Sequence, residues 1–187
     1  QSFSPALRRL LLSDILVRFC ERIPYAWVIL YAMDDLGLTA TQFGILTGIE
    51  MVSAIACLIP VAYLSDRYGR EPFIIATFIL FTLFPVSLLA AHSFRGLCVA
   101  FIIRGLKEFG ETARKSLIIQ LSPEPRRGQT IGTYYLIRDC LATGAAFLGA
   151  ALWSVSPKTN FIGAAAIGAA GTLLYVWTAR QAVATDK

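Results

Sequence analysis

Residues 73–91 read FIIATFILFTLFPVSLLAA, without one charged side chain. As a helix rising 1.5 Å per residue the run covers about 28 Å, close to the roughly 30 Å of hydrocarbon in a bilayer. A soluble core can bury one such helix. Here comparable runs recur at Leu10–Ala32, Phe43–Leu64, Leu97–Ile119, Ile131–Trp153 and Phe161–Ala179. The links between the six are short, and they hold Gly37, Gly69, Pro72, Pro123, Pro125, Gly128 and Pro157, residues that punctuate helix ends. The expectation is an all-α polytopic membrane protein in which residues 1–187 form a single transmembrane domain of six helices.

Composition agrees. Of 187 residues, 56% are hydrophobic and 16% charged, against about 25% charged in soluble domains, and the mean hydropathy is +0.63. These values exclude a disordered chain and a disulfide-stapled secreted scaffold. The net charge of +5 comes from 17 basic and 12 acidic residues, and it is unevenly spread. One face of the six-crossing arrangement collects Arg8, Arg9, Arg67, Arg70, Arg126, Arg127, Arg180 and Lys187. The other has Arg95 and Lys158, with Asp34 and Asp35 in its first loop. The positive-inside rule then puts both termini in the cytoplasm, in keeping with an integral protein of a bacterial cytoplasmic (inner) membrane. The asymmetry accounts for the basic balance, so membrane lipids are expected as partners and nucleic acid is not. The chain opens on Gln1 without an initiator Met, which suggests sequence upstream.

Little is available for catalysis. Cys20, Cys57, Cys98 and Cys140 fall in four different runs and read as small buried apolar residues, with no disulfide and no metal site. His92, the sole histidine, lies in a link at the outer end of the third run. No phosphate-binding Gly-rich loop and no Gly-x-Ser-x-Gly elbow is present. Neither an enzyme nor a cofactor is expected.

The charges inside the runs are more informative. The third and sixth runs have none; in the sixth, Ala164 and Gly168 are four apart and allow close helix contact. The second has Glu50 and the fifth Arg138–Asp139, while the first and fourth have most of the rest. Heavy, light, none is thus read twice, a pattern suggesting a 3+3 internal repeat. In the first run Asp14, Arg18, Glu21, Tyr25 and Val28 step by four, three, four and three, and share a helix face. In the fourth, Arg104, Glu108, Glu111 and Lys115 do the same, with Lys107 and Arg114 beside them. Each Asp, Lys or Arg at the centre of a membrane helix costs about 2.5–3.5 kcal/mol, so both stripes are expected to face inward. Pairing within a helix, Asp14 with Arg18 and Arg104 with Glu108, is one outcome; a polar cavity is the other. Glu50 has no charged neighbour within a turn, which makes it a candidate proton site.

Between the second and third runs the chain reads Ala62-Tyr-Leu-Ser-Asp66-Arg67-Tyr-Gly69-Arg70-Glu71-Pro-Phe. This is a helix end, a tight turn and a new helix start, with an Asp and two Arg able to latch neighbouring helix ends. It resembles the loop signature of the major facilitator superfamily of secondary transporters, G-x-L-A-D-R-x-G-R-R/K. Leu64, Asp66, Arg67, Gly69 and Arg70 match; Ala62 replaces the first Gly and Glu71 the second basic residue. Arg104, Gly105 and Gly110 look like the family's fourth-helix motif, whose Arg is implicated in proton coupling. Gly144, Ala145 and Gly149 resemble its Gly-rich fifth-helix motif without the expected Pro.

The resemblance implies one half of a twelve-crossing transporter, with the C-terminal half favoured, moving a small solute by alternating access. It implies a substrate cavity walled by Asp14, Arg18, Glu21, Arg104 and Glu108, proton sites at Glu50 and Glu111, and a cytoplasmic latch of Asp66, Arg67, Gly69 and Arg70. In the family the first and fourth helices of each half line the cavity and the third and sixth support it, the same division as the charge pattern. The implied partner is a second six-helix half, in the same polypeptide, a separate chain or a second copy. The alternative is a transporter-like scaffold subunit of a larger membrane complex. Anionic, zwitterionic and cationic solutes are all open, as is the choice between symport and antiport.

Overall fold

Ser4 starts the first helix. Its Oγ accepts the Leu7 N–H at 3.2 Å, and Pro5 occupies a first-turn position that needs no donor. Helix α1 runs Pro5–Tyr25. Pro24 brings no N–H to the carbonyl four residues back, and the helix gives way to a short α2 (Trp27–Leu30) and a π turn over Tyr31–Asp35. Thr39 and Gln42 form a reciprocal capping box that begins α3 (Ala40–Tyr68). Gly69, at φ +86°, ends it in a conformation other residues rarely adopt. Helix α4 (Glu71–Ala90) follows, then α5 (Phe94–Leu106), capped by Ser93. A 3₁₀ turn over Lys107–Gly110 separates α5 from α6 (Glu111–Gln120), so this fourth segment is a broken helix. A second 3₁₀ turn (Glu124–Arg126) leads into α7 (Arg127–Val155), and α8 (Pro157–Thr185) completes the chain. The computed structural model describes residues 3–185, without the side chains of Ile59, Ala62, Asp66 and residues 180–185. Every element among the described residues is helical.

Among the described residues four helices are long and apolar enough to cross a membrane: Ala40–Ser65, Glu71–Ala90, Glu124–Val155 and Pro157–Ala179. The other two expected runs fold as helix but fall short of that standard for physical reasons. Helix α1 has Arg8, Arg9, Asp14, Arg18, Glu21 and Arg22 within its 21 residues. The fourth segment is split into pieces of 13 and 10 residues with a charged turn between them.

Packing follows the charge pattern. Helix α1 lies against α7 and α8, the fourth segment lies against α3 and α4, and α4 and α8, which hold the two charge-free runs, lie against each other. Small residues set these approaches. Ala164 is fully buried, and a Cβ at Gly168 would meet Cys20 of α1 and Thr82 of α4. A Cβ at Gly110 would fall on the backbone of Phe73, and one at Gly105 on the α3 backbone at Glu50. Two large apolar clusters form. Leu7, Leu10, Val61, Phe78, Ile118, Tyr134 and Tyr175 belong to one, toward the Arg-rich helix ends. Val28, Leu46, Phe84, Leu88, Leu97, Phe101 and Phe161 belong to the other. Outward positions are apolar too: Val52, Ile55, Phe147 and Leu173 are all exposed.

Candidate functional site

Between the two clusters lies a layer of buried charge, and Arg18 of α1 is at its centre. Arg18 Nη1 donates to Glu21 Oε2 at 2.7 Å, one turn along the same helix. Its Nη2 donates to Glu111 Oε1 at 2.8 Å, at the start of α6. Lys107 Nζ reaches the other oxygen of Glu21 at 2.6 Å. Arg114 Nη2 donates to Glu111 Oε2 at 2.6 Å, and its Nη1 donates to Asp14. Asp14 also accepts the Tyr134 hydroxyl of α7 at 3.0 Å and lies 3.5 Å from Arg138 Nη1. Arg138 is shared with Asp139 at 2.8 Å. Four cations, Arg18, Lys107, Arg114 and Arg138, thus meet four carboxylates, Asp14, Glu21, Glu111 and Asp139. Each of the first three carboxylates bridges two or more cations, so the layer ties α1 to the fourth segment and to α7.

The 3₁₀ turn directs these contacts. With three residues per turn in place of 3.6, it breaks the continuous stripe expected of Arg104, Glu108, Glu111 and Lys115. Lys107 and Glu111 face α1, Lys115 is exposed, and Arg104 turns to α3. One expectation is corrected by this. Glu50 does not stand alone, because Arg104 Nε lies 3.1 Å from its Oε1. Pairing runs both within and between helices: Arg18 with Glu21, Arg114 with Glu111 and Arg138 with Asp139 each lie on one helix, while Asp14, 3.9 Å from Arg18, binds Arg114 directly across segments. Among the described residues Glu108 has no ion-pair partner, with Arg104 or any other. Its surroundings are Lys107 and Glu111 on its own segment, Arg18 and Glu21 on α1, and Cys57 on α3.

Aromatic rings wall the layer. The Arg104 guanidinium is 5.2 Å from the Phe84 ring, 5.5 Å from Phe101 and 5.7 Å from Tyr25, and Arg18 is 5.2 Å from Phe81. Such contacts favour a cation taken from water. Beside the layer a cleft of about 400 Å³ opens between Arg18, Glu21, Arg22 and Tyr25.

All five expected cavity residues therefore lie in or beside this layer, as do both expected proton sites. Arg114, the largest fully buried side chain, was legible only as a neighbour of the stripe; Tyr134 carried no sequence signal as a charge partner. The loop motif lies elsewhere, at the Arg-rich end. Gly69 makes its turn, Arg70 donates to Gln120 at the end of α6, and Arg67 lies over the Tyr68 ring at 5.5 Å. The Asp66 side chain lies outside the described residues. Arg127, at the same end, pairs with Glu124 at 3.4 Å. The cysteines are free, and Cys140 is exposed, against the burial expected of it. His92 is exposed. Among the described residues no three His, Cys, Asp or Glu side chains come together as a metal site.

Residues 10–187 match the sequence profile of the Major Facilitator Superfamily. Over 97 residues, 51% of its length, the chain is 34% identical to a protein of Cupriavidus pinatubonensis named "Probable 4-methylmuconolactone transporter". That stretch is 23% of the relative, so this chain covers less than a quarter of it in the match.

Proposed function

This chain belongs to the major facilitator superfamily, and on that premise we propose that it forms one six-crossing half of a secondary transporter that moves a small solute by alternating access. Its family and its apolar helices make it an integral membrane protein of transporter type. The observation that carries the finer reading is the charge layer between α1 and the fourth segment. Ion pairs that shared between helices are costly to keep out of water, and they are of most use where a polar pathway runs alongside. On this reading α1 and the fourth segment both cross the membrane, and the basic helix ends face the cytoplasm of a bacterial cell. Packing supports a 3+3 repeat: α1 rests on the last two helices as the fourth segment rests on α3 and α4. The second wall of the pathway is supplied by another six-helix half. Arg18, Glu21 and Arg104 line the cavity, and Arg67 and Arg70 act at the latch.

Proton coupling, in this proposal, runs through Glu108. Of the carboxylates within the segments, Asp14, Glu21, Glu50, Glu111 and Asp139 each have a cation within 4.0 Å. Glu108 alone among the described ones does not, and so can gain or lose a proton without breaking an ion pair.

The test needs no known substrate. With Cys20, Cys57, Cys98 and Cys140 replaced by Ala, Ala26→Cys is treated with a membrane-impermeant maleimide from either side. Labelling from both sides is expected, in a ratio that shifts between pH 5 and 8, with Glu108→Gln removing the shift. Labelling from one side at every pH would reject alternating access in favour of a scaffold role. A shift that survives Glu108→Gln would move the coupling proton to another group.

A further inference from the structure

Every cation in the charge layer is matched, and one beside it is not. Arg22 lies near the middle of the first segment and is exposed, and among the described residues no carboxylate is within 4.0 Å of it. A bare guanidinium at that depth is costly against lipid, so it requires water, a protein partner or a bound anion. It lines the cleft of about 400 Å³ together with Arg18, Glu21 and Tyr25. Arg18 is already engaged with Glu21 and Glu111, and Glu21 with Lys107. The floor of the cleft is thus neutral, and the net charge of its lining is that of Arg22.

Tyr25 gives the cleft a flat side. It is 65% exposed, although it is a large aromatic side chain, and its hydroxyl has no hydrogen-bond partner among the described residues. Its ring also stands 5.7 Å from the Arg104 guanidinium. Arg104 engages Glu50 through Nε, while among the described residues its two terminal nitrogens meet no hydrogen-bond acceptor. The cleft therefore offers an unpaired guanidinium and an unused phenol, and the Arg104 guanidinium, outside the cleft lining, stands against the phenol ring. The volume is that of a small-molecule site.

We propose that this cleft is the subsite for a small organic monocarboxylate, held by Arg22, with Tyr25 as the stacking wall and hydroxyl donor and Arg104 as the cation behind it. An Arg fork matches a carboxylate in two parallel hydrogen bonds, and one unmatched positive charge calls for one negative charge. Cations and neutral amides lack that complement. The proposal rests on the transport reading, and names the solute class for that pathway.

The probe is benzoate, with benzamide and benzylamine as neutral and cationic mimics of the same size. The full chain in detergent is titrated with each while thermal unfolding and the fluorescence of nearby Trp27 are recorded. Benzoate is expected to raise the unfolding temperature and change the fluorescence, and the other two are not. Arg22→Gln should weaken benzoate at least tenfold, Arg22→Lys should weaken it less, and neither should alter unfolding without ligand, since Arg22 is exposed. No response to benzoate, an equal response to benzylamine or benzamide, or full affinity in Arg22→Gln would overturn the assignment. A chain that labels at Ala26→Cys from both sides yet ignores benzoate keeps the transport reading and loses this one.

Discussion

Arg114 and Asp14 are each 1% exposed, and they bind each other across two segments. Losing one partner of a buried pair typically costs about 3–5 kcal/mol, because the other is left charged and unmatched, whereas replacing both with apolar residues is often close to neutral. Arg114→Met is therefore expected to destabilise the detergent-solubilised chain by about 3–5 kcal/mol in a denaturation series, and adding Asp14→Leu to restore a good part of that. Equal losses in single and double variants would mean that the pair is not the unit that matters. Tyr134 and Arg138 also contact Asp14 and lose that partner in Asp14→Leu, so recovery should be incomplete. At this scale the sequence was a good guide to which segments hold the site and a poor one to who pairs with whom. Spacing along one helix offered Asp14 with Arg18, but Arg114, a hundred positions away, makes the closer bond. Glu50 looked solitary for the same reason, since Arg104 reaches it only through packing.

At the scale of elements, periodicity and turn residues located the helices well. Capping by Ser4, Thr39 and Ser93 and the turn at Gly69 fix starts and stops; α3 and α4 cover about the expected runs, whereas α1 spans Pro5–Tyr25 where Leu10–Ala32 was expected. What periodicity could not show was the break at Lys107–Gly110, which rotates the residues on either side out of the single stripe expected of them. That break is where Gly110 comes against the Phe73 backbone, a contact set by a neighbouring helix. The fourth segment crosses the membrane in the proposed arrangement despite the break and its charges. His92→Cys, before it, and Glu124→Cys, after it, should then label from opposite sides of the membrane, His92→Cys from outside. Labelling of both from one side would mean that the segment does not cross.

At the scale of the whole molecule, the apolar exterior, the paired apolar clusters and the charge layer between them form one arrangement, and the first and fourth segments supply most of its polar groups. Composition made the membrane assignment plain. The separation of Asp14 from Arg114 by 100 residues has a consequence for biogenesis. A ribosome adding about 5–20 residues per second needs about 5–20 s to make that interval. For that time the nascent first segment, with Asp14, Arg18 and Glu21, has emerged while Lys107, Glu111 and Arg114 do not yet exist. In the proposed arrangement, where the first segment crosses the membrane, it is expected to settle among lipids only after its countercharges arrive. On that arrangement, the order of synthesis makes the fourth segment the one expected to release the first.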